Sequence, residues 1–456
     1  MRRYVVFVGP SLPRAEVAAL LPDAEIRPPV RHGDLLRLDV GAEDAVLIID
    51  GLFLQTASVR HREIMYLLQR GVTVAGSSSM GALRAAELWP YGMRGFGEIF
   101  RLYRDGEIDG DDEVAIVHGT AEDGHRAYSD PLVGIRIALR DAAAAGAIGQ
   151  DDARLMVDLA VAMPFRSRGF RALETVARGH LPAHVIEAFR SWRSARDPDA
   201  KAADARLLLA AAAAGDPELR PAGLGDRPVR NVHTWDFEMW EHRYHGAEAD
   251  GAWVADADAA TALRLVHPAF PGLHRRQVLA RVAGLDPDHP ALAEHAVAVA
   301  RARGLEPPRR DGWLTEQDLA GSADEALATL LVRAFGVTHG RAWTKWDLPP
   351  ELRTPAAMAW GREVVAAARR CRERLLGPVP DGGTRRRFRA EVADRVIAGE
   401  WGCDPGDLTG HAWDRGIADL AALRRLAEPF VALLKSRQAG DAEMISDASA
   451  VTSVAW

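Results

Sequence analysis

Three consecutive serines lie where an apolar, β-branched run gives way to an Ala-rich helical pattern, within the segment VTVAGSSSMGALRAAEL at residues 72–88. Ser79 has a small residue, Ser77, two positions before it and Gly81 two positions after it, which fits a relaxed G-x-S-x-G nucleophile elbow. A strand that turns directly into a helix places the N–H groups of Met80 and Gly81 at the helix N-terminus, where the dipole favours an anion. The pattern predicts a serine nucleophile beside a site for a developing oxyanion.

The same residue types also have structural interpretations. Serines at a helix N-terminus satisfy unpaired amides without reacting, so an N-cap cluster at residues 77–79 is the alternative to a nucleophile. Arg62 and Glu63 fit the solvated face of an amphipathic helix. Arg84 and Glu87 lie three residues apart on a predicted helix, where they can pair with each other.

A carboxylate is expected near the serine. Asp50 ends the apolar run AVLIID and therefore stands at the carboxyl end of a predicted strand, the edge at which open α/β sheets collect ligands. The residues expected to bind substrate around Ser79 are Ser78, Met80, Gly81, Asp50, Arg84, Glu87 and His118.

Alternating strands and helices must position these groups. The predicted strands cover residues 4–8, 44–49, 72–75 and 114–117, and the predicted helices cover residues 14–21, 58–71 and 80–88. Strand, helix, strand and helix with short connections are typical of a parallel sheet with right-handed crossovers. We expect an α/β fold: a small, mostly parallel sheet with flanking helices in the N-terminal core, followed by a mainly α-helical C-terminal region.

The pattern becomes helical throughout beyond about residue 149. We expect an α/β core at 1–145, a helical extension at 146–221, a helical, tryptophan-rich domain of unknown role at 222–440 and a flexible tail at 441–456. The tryptophans have two interpretations: they fill a helical core, or they form a docking surface for a partner.

Composition restricts the function. The chain has 456 residues, a formal charge of −7 and only two cysteines, which argues against a nucleic-acid-binding protein, a disulfide scaffold and a cysteine-based zinc site. No apolar run is long enough to span a bilayer, so we expect a cytoplasmic protein. The acidic run at 109–113 is typical of a solvated loop, and His118 with His125 lacks a third ligand. We expect no metal and no cofactor.

The first 140 or so residues resemble the core of the TfuA-like proteins. The resemblance rests on ordered blocks: GPSLP at 9–13, PPV with HGDL at 28–35, IDGLF at 49–53, SVRHREI at 58–64, SSMGALRAAEL at 78–88, YGMRGFGEIF at 91–100 and DDEVAIVH at 111–118. It implies an accessory protein for peptide-backbone thioamidation in ribosomal peptide natural product biosynthesis. Such a protein docks to a YcaO-type cyclodehydratase, which holds the peptide substrate, and hydrolyses the thiocarboxylate of a ubiquitin-like (ThiS-like) sulfur carrier to release sulfide.

The resemblance also implies a Ser and Lys pair, with lysine in a helix motif HKEI. This chain reads His61-Arg62-Glu63-Ile64 at that place. An arginine stays protonated at physiological pH, so Arg62 suits anion binding and cannot readily accept the serine proton. The other candidates for the base are His61, His118, Asp50 and Glu87. If this position holds the family's base, Arg62→Lys raises hydrolysis.

Two alternatives to this enzyme remain open. The first is a non-catalytic adaptor that binds the sulfur carrier and the YcaO enzyme or its peptide substrate through the same pocket. The second is an unrelated α/β hydrolase of small esters. Chain order argues against it, because Asp112 and His118 follow the serine too closely for the usual acid and histidine positions.

Overall fold

The computed structural model describes residues 2–52, 56–119, 123, 126–219, 234–305, 312–337, 343–377 and 387–439. They form two compact units, residues 1–237 and 238–456. Phe53, His125 and the predicted tail at 441–456 lie outside the described residues. The four domains expected from the sequence stay a prediction.

The first unit contains a five-stranded sheet in which every neighbouring pair is parallel, which confirms the expected fold class. The strand order is β2-β1-β3-β4-β5. The strands are β1 (Tyr4–Phe7), β2 (Glu25–Arg27), β3 (Ala45–Ile48), β4 (Thr73–Ser77) and β5 (Arg94–Phe96).

The sequence pattern does not predict β2 and β5, and the strand that it predicts at residues 114–117 is wrong. β2 and β5 have three residues each, EIR and RGF, and neither shows an apolar run. Residues 115–117 have no regular structure and follow a 3-10 turn at Asp111–Glu113. The amide of Val117 donates to the Ser129 hydroxyl at 2.7 Å instead of to a strand, and His118 forms only an isolated bridge with Ala127.

Helices cover both faces of the sheet. Val5 and Phe7 belong to a core shared with the helices at His61–Gln69 and at Met80–Leu88, whereas Val6 and Val8 belong to a second core, on the opposite face, shared with the helices at Arg14–Leu20 and Ala200–Ala214. The helices of this unit are α1 (Arg14–Leu20), α2 (His61–Gln69), α3 (Met80–Leu88), α4 (Glu98–Arg104), α5 (Leu132–Ala144), α6 (Gln150–Ala162), α7 (Phe170–Ala177), α8 (Ala183–Arg196) and α9 (Ala200–Ala214).

The strand order defines the edge at which a ligand would bind. The helix after β1 lies on one face and the helix after β3 lies on the other, so the connections from these adjacent strands diverge. In doubly wound sheets the crevice outside the carboxyl ends of such strands is the usual ligand site. The segments after β1, β3 and β4 all emerge there.

The buried carboxylate of Asp204 connects α9 to the start of α4. Asp204 accepts hydrogen bonds from the amides of Glu98 and Ile99, both at 2.8 Å, and so caps the first turn of α4. Gly97 has a φ of +96°, and a Cβ there would lie 2.1 Å from the Asp204 carboxyl carbon. Burial raises the pKa of Asp204 to about 6, although the two amides lower it.

Helices α5 to α8 have a small core of their own. One face of α5 packs in it through Ile135 and Leu139, and the opposite face contributes Val133 and Ile137 to the core beneath the sheet. The helical residues after 145 are therefore packed onto the α/β part of the unit, through α5 and directly through α9.

The second unit is mainly helical, as expected, but it also contains a hairpin of β6 (Gly246–Ala249) and β7 (Ala252–Ala255). Asp250 and Gly251 have φ values of 52° and 70°, as a two-residue type I′ turn requires. The helices are α10 (Trp235–Tyr244, which begins before the unit boundary), α11 (Asp256–Val266), α12 (Phe270–Ala283), α13 (Leu292–Ala302), α14 (Glu316–Ala320), α15 (Ala323–Gly336), α16 (Pro355–Leu376), α17 (Ala390–Trp401), α18 (Leu408–Asp414), α19 (Leu420–Ala427) and α20 (Val431–Ala439).

Several tryptophans of the second unit pack against buried arginines. The guanidinium carbon of Arg264 lies 3.9 Å from the Trp343 ring centroid, and that of Arg415 lies 4.1 Å from the Trp401 centroid. Trp346, in contrast, is 55% exposed. In the described ranges, no helix combines the length and the apolar composition that a bilayer span requires.

The pKa of Asp204 makes the docking of α9 depend on pH. Between pH 4 and 6 the native state retains a proton that the unfolded state has lost, so this group's contribution to stability falls as pH rises through that range. We expect the free energy of unfolding of wild type minus that of Asp204→Asn to fall, on the order of 2 kcal/mol, between pH 4 and 6.5. Urea unfolding of the two proteins in parallel measures it. A difference that does not change with pH would contradict this assignment.

Candidate active site

The serine segment forms the predicted strand, turn and helix. β4 extends through Ser77, Ser78 adopts a left-handed φ of 69°, and α3 begins at Met80 directly after Ser79. A non-glycine residue in this region of φ is strained and is often found at functional sites. The Ser79 amide donates to the Ser77 carbonyl at 2.8 Å and to the Ile49 carbonyl at 3.3 Å, which fixes the turn against β3.

Glycines allow α3 to start directly against the strand ends. A Cβ on Gly81 would lie 1.7 Å from the Ile48 carbonyl oxygen, and one on Gly76 would lie 2.1 Å from the Gly81 oxygen. Neither position tolerates a side chain without displacement of the helix. The small residues around the serine are therefore required by backbone packing, and this packing places Ser79 at the carboxyl edge of the sheet.

One of the two predicted oxyanion donors is already engaged. The Gly81 amide donates to the Ile49 carbonyl at 3.3 Å, whereas the described chain offers no acceptor to the Met80 amide. The hydroxyls of Ser77 and Ser78 are buried and also have no partner among the described residues. Of the two predicted oxyanion donors, the Met80 N–H is therefore the one without an acceptor among the described residues.

Ser79 lines a cavity of about 260 Å³ at this edge. Contributions come from the segments after β1 and β3, from residues 114–118, from the turn between α6 and α7 and from α9. The lining residues are Pro10, Asp50, Gly51, Ser79, Val114, Ala115, Ile116, Val117, His118, Phe165, Arg166 and Lys201.

Asp50 joins two of the loops at the cavity. Its carboxylate accepts hydrogen bonds from the amides of Gly9 at 2.8 Å and Ser11 at 3.0 Å, and from the Ser11 hydroxyl at 2.6 Å. The side chain is 2% exposed. The sequence placed Asp50 at this edge, and the structure shows that it also orders the GPS turn after β1.

Lys201 is the cavity residue that sequence reasoning missed. It lies in the first turn of α9, is 5% exposed, and its Nζ donates to the Val114 carbonyl at 3.3 Å. Burial lowers the pKa of its ammonium, and the charge of Asp50 opposes that shift in part. Among the described residues, no carboxylate forms an ion pair with it.

One signal in the sequence pointed to this residue. The basic residues are almost all arginines, and Lys201 is one of only three lysines. It stands in the Ala-rich pattern AKAADARLLLAAAAA, where a buried helix face is expected. Because Lys201 is far from Ser79 along the chain, no local sequence pattern relates the two residues.

The HREI motif at residues 61–64 lies outside the lining of the cavity. His61 Nε2 is 2.8 Å from a Glu87 carboxylate oxygen, and Arg84 donates to the same oxygen at 2.6 Å. Burial raises the pKa of Glu87, but the hydrogen bond from His61 and the charge of Arg84 outweigh it and leave that pKa lowered. Neither His61 nor Arg62 lines the cavity.

Glu63 of the HREI motif has a structural role at the start of α2. Its fully buried carboxylate lies 2.7 Å from His32 Nδ1 and accepts hydrogen bonds from the amides of Gly33 at 2.8 Å and Arg60 at 3.0 Å. Two of the sequence blocks, HGDL and SVRHREI, therefore contact each other and fix the start of α2.

The acidic run before the cavity is held by arginines. Arg168, 3% exposed, donates to the Asp112 carboxylate at 3.1 Å, and Arg136 forms an ion pair with Glu113 at 2.9 Å. In the described part of the chain no group of three or more His, Cys, Asp or Glu side chains could hold a metal ion. His118 does line the cavity, with Nδ1 2.7 Å from the Gly119 carbonyl oxygen.

The predicted site set is brought together only in part. Asp50, Ser79 and His118 line one cavity, whereas Ser78, Met80, Gly81, Arg84 and Glu87 belong to the helix and turn behind it. A family model described as TfuA-like protein matches residues 50–169, a range that contains those three cavity residues but not Lys201. No curated protein matches the chain.

The packing at Gly81 yields a test. We expect Gly81→Ala to destabilise the fold by about 1–3 kcal/mol or more, because the added Cβ meets the Ile48 carbonyl. The midpoint of urea unfolding measures the effect. Gly41→Ala is the matched control, since a Cβ there meets nothing within 4 Å. Equal midpoints for the two variants would contradict the close approach of α3 to β3.

Proposed function

We propose that this protein, whose residues 50–169 match a family model described as TfuA-like protein, is an accessory protein of peptide-backbone thioamidation that hydrolyses a thiocarboxylated sulfur carrier. In this proposal Ser79 is the nucleophile and Lys201 is the base. The observation that carries it is that a buried lysine with a lowered pKa lines the same cavity as the serine of the elbow.

The neutral amine of Lys201 accepts the Ser79 hydroxyl proton as Oγ attacks the thiocarboxylate carbon. The new C–O bond gives a tetrahedral anion, whose oxygen is stabilised by the Met80 N–H. When the C–S bond breaks, the Lys201 ammonium returns the proton to sulfur and hydrosulfide leaves. Water then attacks the serine ester with Lys201 as base; the proton that Lys201 takes returns to Ser79 Oγ as the ester C–O bond breaks, and the carrier departs as a carboxylic acid that loses its remaining proton to solvent.

Burial is what permits lysine to act as a base. An exposed lysine is protonated at neutral pH, but a desolvated ammonium loses its proton more readily. Arg62 cannot replace it, because a guanidinium stays protonated and this one lies outside the cavity. In this proposal Ser79 and Lys201 form the Ser and Lys pair, although the HKEI lysine is an arginine in this chain.

The rest of the cavity suits a small anionic acyl group. Val114 to Val117 give it an apolar wall, and Arg166, an exposed residue at the lining, offers a guanidinium to the thiocarboxylate. His118 provides a further polar group. The substrate we propose is the C-terminal thiocarboxylate of a ubiquitin-like (ThiS-like) carrier.

The released sulfide serves a partner. We propose that the protein docks to a YcaO-type cyclodehydratase, which holds the peptide substrate. No nucleic-acid or membrane partner is proposed. We place the reaction in the cytoplasm, where the free thiols of Cys371 and Cys403 stay reduced.

A non-catalytic adaptor is the second candidate. It is favoured by the engagement of the Gly81 amide, which leaves a single backbone donor for the oxyanion. In that case the cavity binds the carrier tail without cleaving it.

Sulfide release from the thiocarboxylated carrier separates the two functions. We expect Ser79→Ala and Lys201→Met each to lower the rate at least about 100-fold, because each removes one member of the pair. Lys201→Met preserves the length and apolar stem of a buried side chain. Lys435→Met, at an exposed position, is the matched control. Arg62→Lys should leave the rate unchanged. Release that survives in Lys201→Met would exclude lysine as the base, and its absence in wild type would favour the adaptor.

The pH profile identifies the base independently. Hydrolysis should rise with pH along a limb whose apparent pKa is below the ordinary lysine value of 10.5, because the neutral amine is the active form. Since the Asp50 charge raises the pKa of Lys201, Asp50→Asn should move this limb to lower pH. A rising limb that persists in Lys201→Met and disappears in His118→Gln would instead assign the base to histidine.

A further inference from the structure

The second unit carries an apolar groove between α12, α13 and α15, with a cavity of about 270 Å³. Each helix presents residues one turn apart: 278 and 282 on α12, 299 and 303 at the end of α13, and 331 and 335 on α15. The groove is lined by Val278, Arg281, Val282, Val299, Ala300, Arg303, Leu305, Leu331 and Phe335.

The residues at the floor of the groove are buried, and the apolar residues at its rim are exposed. Val278, Ala300 and Leu331 are almost fully buried, whereas Leu305 is 44% exposed and Phe335 is 61% exposed. Large apolar side chains gathered on a concave surface are typical of a binding site, while scattered ones are not. The cavity is small, so it admits only a few side chains of a partner.

The charges at the groove all have one sign. The lining contains two arginines and no carboxylate, although the chain as a whole carries a formal charge of −7. Within the described ranges neither Arg281 nor Arg303 has an ion-pair partner. Other arginines of these helices do: Arg275 pairs with Glu325 at 2.7 Å, and Arg301 pairs with Asp324.

The lining of the groove is therefore apolar and carries two guanidinium groups with no carboxylate beside them. An occupant that matches it must bring apolar side chains and carboxylates together.

We infer that this groove docks an amphipathic helical segment of a partner protein, whose apolar stripe enters between α12, α13 and α15 while its carboxylates bind Arg281 and Arg303. A helix laid into an apolar groove uses anchors at i, i+3, i+4 and i+7. Guanidinium groups at the rim fix its register through charge-assisted hydrogen bonds. This inference is independent of the chemistry at Ser79.

Binding is tested on the full chain by fluorescence anisotropy. The probe is a labelled synthetic helical peptide with leucines at i, i+3, i+4 and i+7 and glutamates beside them; a second peptide has lysines in place of the glutamates. We expect the glutamate peptide to bind at least tenfold more tightly than the lysine peptide. Arg281→Glu, Arg303→Glu and Phe335→Ser should each weaken it at least tenfold. Arg425→Glu, at an exposed position on α19, is the matched control.

Four results would overturn the inference. The first three are no binding of the glutamate peptide, equal binding of the two peptides, and losses in Arg425→Glu as large as those in Arg281→Glu. Self-association that Phe335→Ser abolishes would make a second copy of the chain the occupant and would also overturn it. Sulfide release, which depends on the other unit, is measured separately, so failure here is distinguishable from failure of the proposed hydrolysis.

Discussion

A desolvated ammonium on α9 is the constraint on which the candidate site depends. Lys201 is held away from water at the carboxyl edge of the sheet, with its Nζ on the Val114 carbonyl and no carboxylate paired to it among the described residues. A buried charge without a counterion is unfavourable unless it shifts its pKa. In the proposed reaction that cost is useful, because it makes the neutral amine available as a base.

The rest of the first unit maintains this arrangement. Asp204, one helical turn from the lysine, caps α4 and locks α9 against the sheet. Apolar residues of α9 cover the face of the sheet that α2 and α3 leave open. Asp50 orders the turn after β1, and the glycine contacts of α3 fix Ser79. Since these elements come from distant parts of the chain, the site exists only when the helical extension is docked.

Local patterns explain what could be predicted. The β-branched runs at β1, β3 and β4 and the small residues before α3 are short-range signals, so the parallel sheet and the turn at Ser79 followed from sequence. β2 and β5 have three residues each and no such run. Lys201 lies more than a hundred residues beyond Ser79, and only packing of α9 on the sheet relates them. The HREI motif, where the resemblance implies the lysine, instead contacts α3, with His61 Nε2 2.8 Å from a Glu87 carboxylate oxygen.

Titration of Lys201 is the direct test of its proposed role as the base. The chain has three lysines, so ¹³C-lysine labelling gives three side-chain resonances, and Lys201→Arg assigns the relevant one. We predict that Lys201 loses its proton below the ordinary value of 10.5, at the same pH as the rising limb of sulfide release. A Lys201 that remains fully protonated across the pH range in which hydrolysis proceeds would contradict it.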